Sequence, residues 1–143
     1  MKKYILLRSL LSSILLMFVT AVHAEIVVIV HPSMSFDQLD NNNITRLFLG
    51  KAKAYPNGER AIPINQDVGS EVRTNFNQEL LNKSENAYKS YWSRLMFTGK
   101  ATPPKDSGDN DSIKKLVATN PNIMGYIEAS YLDGTVKKVF SLP

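Results

Sequence analysis

Two rhythms of apolar and polar residues alternate along the chain. Residues 25–30, EIVVIV, make an almost unbroken apolar run rich in β-branched side chains and closed by His31-Pro32-Ser33; this predicts a strand buried on both faces. Ile44, Leu47 and Phe48 then recur at helical spacing, with Asp40 and the asparagines after it as caps and Gly50 as the stop. Tyr55-Pro56-Asn57-Gly58 predicts a turn, and Arg60 to Asn65 a second strand.

From Ser70 onward, Val72, Phe76 and Leu80 fall every four residues and predict a helix with one apolar edge. A second helix follows Ser84, where Ala87, Tyr88, Tyr91, Trp92, Leu95 and Met96 form a broad stripe ended by Gly99. At helical spacing this aromatic stripe predicts core packing around Trp92 rather than a ligand platform. Residues 102–111, TPPKDSGDND, are too rich in Pro, Gly and Asp for regular structure and predict a loop. A short helix over Ser112–Thr119 and strands over Ile123–Ile127 and Val136–Phe140 complete the chain. Strands separated by helices predict an α/β domain, a mainly parallel sheet flanked by helices, with no repeat and no inter-domain linker.

The N-terminus changes this picture. Lys2, Lys3 and Arg8 precede an apolar stretch from Leu10 to Val22 that ends in Val22-His23-Ala24, the pattern of a secretory signal peptide over residues 1–24. Ser9, Ser12, Ser13 and Thr20 interrupt the run, which is too short for a spanning helix of about 20 apolar residues. Cleavage after Ala24 is expected to leave residues 25–143 as one soluble periplasmic or secreted domain. The leader also holds three of the 17 basic residues, so the remainder carries 14 against 13 acidic ones and is nearly neutral. A nucleic-acid or membrane-surface role therefore gains no support from the basic pI of the whole chain.

The chain has no cysteine, which excludes thiol catalysis, thiolate metal sites and a disulfide-stapled fold. His31 is the one histidine beyond the leader, so neither a Ser-His-Asp arrangement nor a histidine-rich metal centre is expected, and His31 reads as a turn residue. Asp106, Asp109 and Asp111 lack the spacing and terminal Glu of a calcium hand; they predict a solvated loop with Asp111 capping the next helix. Lys51 and Lys53 around Gly50 read as helix-end cations matched to the dipole. No cofactor and no metal are implied, and an enzyme is not expected.

The segments "ITRLFLGKAKAYPNG", "IPINQDVGSEVRTNF", "YWSRLMFTG" and "NPNIMGYIEASY" follow one another in an order that resembles the phosphate-type periplasmic substrate-binding proteins of ABC transporters. The resemblance runs from Glu25 to Phe140. It implies a fold of two α/β lobes with an oxyanion between them, of which this chain looks like a single lobe of a periplasmic-binding-protein-like fold. In the family the phosphate loop commonly reads Arg-Ser-Asp-Gly-Ser-Gly-Thr. Aligned on Asp67, Asn65 takes the arginine position, and Gly69, Ser70 and Glu71 take those of Ser, Gly and Thr.

The resemblance thus implies an exported binding protein for phosphate or a similar oxyanion. Asp67, Gly69 and Ser70 form its half-site at a helix N-terminus, where unpaired N–H groups and the dipole favour an anion. Arg73 is the residue able to replace the missing charge, and Ser33, after the first strand, is a second-rank donor. The competing reading makes Asp67 or Ser70 a helix cap, Gly69 a turn residue and Arg73 a solvated surface residue, with Glu71 matched to the dipole. A membrane transporter or receptor is the implied partner. The alternative function is a periplasmic interaction or sensory accessory module of such a receptor or transporter that has lost ligand binding. The oligomeric state is not legible.

Overall fold

The computed structural model describes residues 23–143, so the expected leader, apart from its last two residues, lies outside the described residues. β1 (Ile26–Val30) is buried along its whole length, as an apolar run without alternation requires. Its side chains divide between two cores: Ile26, Val28 and Val30 face one cluster, Val27 and Ile29 the other. The first cluster packs under α1 (Asn41–Phe48), α2 (Glu71–Glu79) and α3 (Glu85–Phe97), and the second under α4 (Asn110–Thr119).

With β2 (Ile62–Asn65), β3 (Lys105–Asp106), β4 (Ile123–Glu128) and β5 (Lys137–Leu142), β1 forms a five-stranded sheet in the order β3-β2-β4-β1-β5. The expected parallel pairing is found across β3, β2 and β4, whereas β1 runs antiparallel to both β4 and β5. The domain is thus an α/β lobe built on a mixed sheet. Among the described residues, no helix is long and apolar enough to cross a membrane.

Local chemistry sets the element ends. Asp40 accepts the Asn43 N–H at 2.7 Å to cap α1, and Ser84 accepts the Ala87 N–H at 3.2 Å to cap α3. After α1 the chain turns at Gly50 with φ +70°, where a side chain would also meet the Trp92 ring at 2.8 Å. Trp92 is buried against Tyr88 and Tyr91 as expected, but the predicted stripe is narrower: Ala87 and Met96 are exposed. Phe76 stacks on Tyr126 at 3.8 Å between ring centres, with Phe48 edge-on to Phe76, and these rings join α1 and α2 to β4.

Two expectations in the 102–111 loop are corrected. Lys105 and Asp106 are a strand, paired with Ile64 and Asn65, because the edge of β2 leaves backbone groups that this segment satisfies. The cap of α4 is Asp109, accepting the Ser112 N–H at 3.0 Å, and Asp111 lies inside the first turn.

Candidate functional site

β2 delivers the chain into the loop 65–70, and each polar side chain there has a structural partner. Asn65 is 1% exposed; its Nδ2 donates to the Tyr88 hydroxyl at 2.9 Å, and its Oδ1 accepts from the Tyr126 hydroxyl. Gln66, also 1% exposed, donates through Nε2 to Asn110 Oδ1 at 2.8 Å and to the Tyr126 carbonyl at 3.2 Å. Ser70 Oγ donates to Gln66 Oε1 at 2.7 Å and accepts the Arg73 N–H at 3.3 Å. Asn110 Oδ1 further accepts the Glu128 N–H at 3.0 Å. Gln66 therefore ties the starts of α2 and α4 to β4, a role that nothing in the sequence pattern signals.

Asp67 faces outward and is joined to the loop before α4: its Oδ1 accepts the Gly108 N–H at 2.9 Å, and its own N–H donates to the Gly108 carbonyl at 3.0 Å. Gly69 has φ +92° with open space where a side chain would stand. The loop thus brings Asp67, Gly69 and Ser70 together at the start of α2. The Ser70 N–H donates to the Asp67 carbonyl, and the Thr74 N–H to the Ser70 carbonyl. With Arg73 N–H on Ser70 Oγ, this leaves the first-turn N–H groups of Glu71 and Val72 free of protein acceptors among the described residues, as helix starts do.

Arg73 is placed otherwise than expected. It is 3% exposed, neither a solvated surface residue nor turned toward the loop opening. Its Nη1 donates to Asp106 Oδ1 at 2.7 Å and to the Gln66 carbonyl at 2.8 Å, its Nη2 to Glu85 Oε1 at 2.9 Å, and its Nε to Glu85 Oε2 at 3.3 Å. The guanidinium also lies 5.4 Å from the centre of the Tyr88 ring. Burial works against its charge, but the bonds and charges of Asp106 and Glu85 prevail and raise its pKa. Two carboxylates outweigh one cation, so this cluster offers no positive charge to a ligand.

Ser33 is not brought to the site. Val30 pairs with Met124, the residue that β2 meets through Pro63 near its start. The C-terminal end of β1 thus points away from that of β2, and His31-Pro32-Ser33 leaves the sheet at the opposite end of the strands. There Ser33 Oγ and His31 Nδ1 lie 2.7 Å apart. The expectation assumed that both strands run the same way; antiparallel pairing of β1 with β4 reverses it.

The depression at the start of α2 has a volume of about 230 Å³ and is rimmed by Asp67, Glu71, Asp109 and Glu128, with no cationic side chain in its lining. The helix dipoles of α2 and α4 favour an anion there and the four carboxylates oppose it. Among the described residues, no group of His, Cys, Asp or Glu is placed to hold a metal ion.

No family model matches the sequence, and no curated protein matches it. Solved structures do match. A protein from Clostridium perfringens, described as a phosphate ABC transporter substrate-binding protein and solved with bound phosphate, is similar over 81% of this chain and 45% of its own at 24% identity and a TM-score of 0.65. An ABC-type phosphate transport receptor from Vibrio cholerae is similar over 81% of this chain and 46% of its own, at 15% identity and a TM-score of 0.64. For PstS from Borrelia burgdorferi the shares are 81% and 47%, at 15% identity and a TM-score of 0.62. The likeness shows the fold: this chain has the fold of one α/β lobe of these proteins and spans a little under half their length.

Proposed function

We propose that residues 25–143 form one exported, non-enzymatic binding domain for phosphate or a similar oxyanion, released into the periplasm or secreted after cleavage behind Ala24. The observation that carries this is the start of α2: the free N–H groups of Glu71 and Val72 stand beside Gly69, in a fold otherwise seen with phosphate bound. Asp67, Gly69 and Ser70 form the half-site, and Arg73 acts from behind, holding the loop through the Gln66 carbonyl. Binding is weak because no cation faces the anion and four carboxylates surround it. A membrane transporter or receptor is the partner this reading implies.

A second reading is favoured by the same rim. Neutralisation of Arg73 by Glu85 and Asp106 suits a lobe that keeps the fold as an interaction or sensory accessory module of a membrane receptor or transporter and no longer binds an oxyanion. Titration of the purified protein with phosphate and with sulfate, followed by backbone amide NMR, separates the two. Oxyanion binding predicts saturable shifts of the Gly69, Glu71 and Val72 amides with a Kd of about 1 mM or weaker. A folded protein whose amides do not move in either titration leaves the interaction reading.

A further inference from the structure

A larger concavity lies on another side of the lobe. It is a cleft of about 880 Å³ along the exposed start of β2, beneath the segment 99–107. Ile64, Trp92, Met96 and Ile123 contribute to its apolar lining. A volume of this size and lining is that of a small-molecule site, in which apolar walls supply area and a few polar groups set orientation.

Its charged groups are of one sign. Lys53, Arg60 and Lys105 line the cleft, and no carboxylate does. The ion pairs among the described residues use Arg73, Lys114 and Lys137, so these three cations are unpaired. Their backbones are fixed. Arg60 is bridged to Ala54, the Ala61 N–H donates to the Lys53 carbonyl at 3.1 Å, and Lys105 is paired with Ile64 in the sheet.

This is the reverse of the depression at α2, which has carboxylates and no cation. From the complementary charge over an apolar floor we infer that the cleft binds a small organic anion, a carboxylate carried on an apolar body. The body lies against Ile62 and Met96, over the buried Trp92, and the carboxylate meets the rim of Lys53, Arg60 and Lys105. Inorganic phosphate has no apolar surface to bury there and would lose hydration against these walls, so this site is independent of the one at α2.

Trp92 is the only tryptophan of the chain and lies in the lining, so its emission reports occupancy. The purified protein is titrated with octanoate, with octanamide as the neutral analogue and with inorganic phosphate. The expected result is a saturable change in Trp92 emission with octanoate, half-complete below about 1 mM. Octanamide is expected to need roughly five times more, as is octanoate with the double variant Arg60→Glu, Lys105→Glu, whose folding is checked by circular dichroism. Phosphate leaves the emission unchanged, and Ser70→Ala leaves the octanoate response intact. The inference is overturned if octanoate gives no saturable change. It is equally overturned if octanamide matches octanoate, or if the folded double variant binds as tightly as the parent.

Discussion

Arg73 and Glu85 are joined by a two-pronged bond, Nη2 to Oε1 at 2.9 Å and Nε to Oε2 at 3.3 Å, which pins the first turn of α3 against α2. The arginine side chain is 4% exposed and the glutamate 26%, while Asp106, on the other arm of the guanidinium, is 46% exposed. Replacement by Arg73→Met strands two carboxylates that still reach water and frees the Gln66 carbonyl. The expected loss is about 2–3 kcal/mol in urea unfolding, below the cost of a fully buried broken pair. Arg73→Lys should recover little of it, since an ammonium cannot make the fork. A loss near zero for Arg73→Met would show that the cluster does not hold α2 to α3.

Asn65 is the residue that the resemblance sets at an arginine position. Its side chain is enclosed by the Tyr88 and Tyr126 hydroxyls, so Asn65→Arg buries a guanidinium instead of presenting one to the loop. The variant is expected to lose about 3 kcal/mol of stability or more without gaining phosphate affinity. Tighter phosphate binding by a stable variant would mean that this position does face the half-site.

Asp67 separates attraction from repulsion at the proposed half-site. Asp67→Asn keeps an acceptor for the Gly108 N–H and should leave stability within about 0.5 kcal/mol. If its carboxylate accepts a proton of the phosphate, the variant binds phosphate more weakly. If it only adds to the negative rim, the variant binds more tightly, and amide titrations of the two proteins show which holds.

Gly125 lies where β4 passes under α4. A Cβ there would stand 2.5 Å from Ile113 Cγ2, closer than packed carbons approach, so Gly125→Ala must displace α4. The expected cost is about 2 kcal/mol. Paired with Ile113→Ala, which removes the clashing methyl, the two costs should fall short of adding, by about 1 kcal/mol in a double-mutant cycle.

Three buried phenols set the alkaline limit of stability. Burial pushes Tyr88 up to about 12, with Arg73 pulling against it, and pushes Tyr55 and Tyr126 higher still. Unfolded tyrosines ionise near pH 10, so the unfolded chain releases protons first. Their contribution to stability is complete below pH 10; that of Tyr88 is lost as pH rises through about 12, and those of Tyr55 and Tyr126 at still higher pH. Absorbance at 295 nm should show these phenols ionising together with the loss of circular dichroism; ionisation with the fold intact would contradict their burial.

The sequence by itself determined the secondary elements wherever local chemistry decides them. The apolar run at 26–30, the caps Asp40 and Ser70, the helix start after Ser84, the stop at Gly50 and the core position of Trp92 are all legible, because caps, glycine turns and periodicity act over a few residues. It also placed Asp67, Gly69 and Ser70 at one helix start, for the same reason. The single-lobe α/β architecture followed from the order of the elements and from the resemblance, and the solved structures bear it out.

Tertiary structure alone decided the rest. Strand direction is set by pairing partners far apart in sequence, and the antiparallel placement of β1 is what separates Ser33 from the α2 loop. The charge of Arg73 depends on Glu85, 12 residues on, and Asp106, 33 residues on, which no local pattern announces. Lys105–Asp106 becomes a strand only because β2 offers it an edge. The cationic cleft, too, exists only where Lys53, Arg60 and Lys105, scattered in sequence, meet across one apolar floor. Electrostatics acts through space, so its sign at a site is fixed only once the chain has folded.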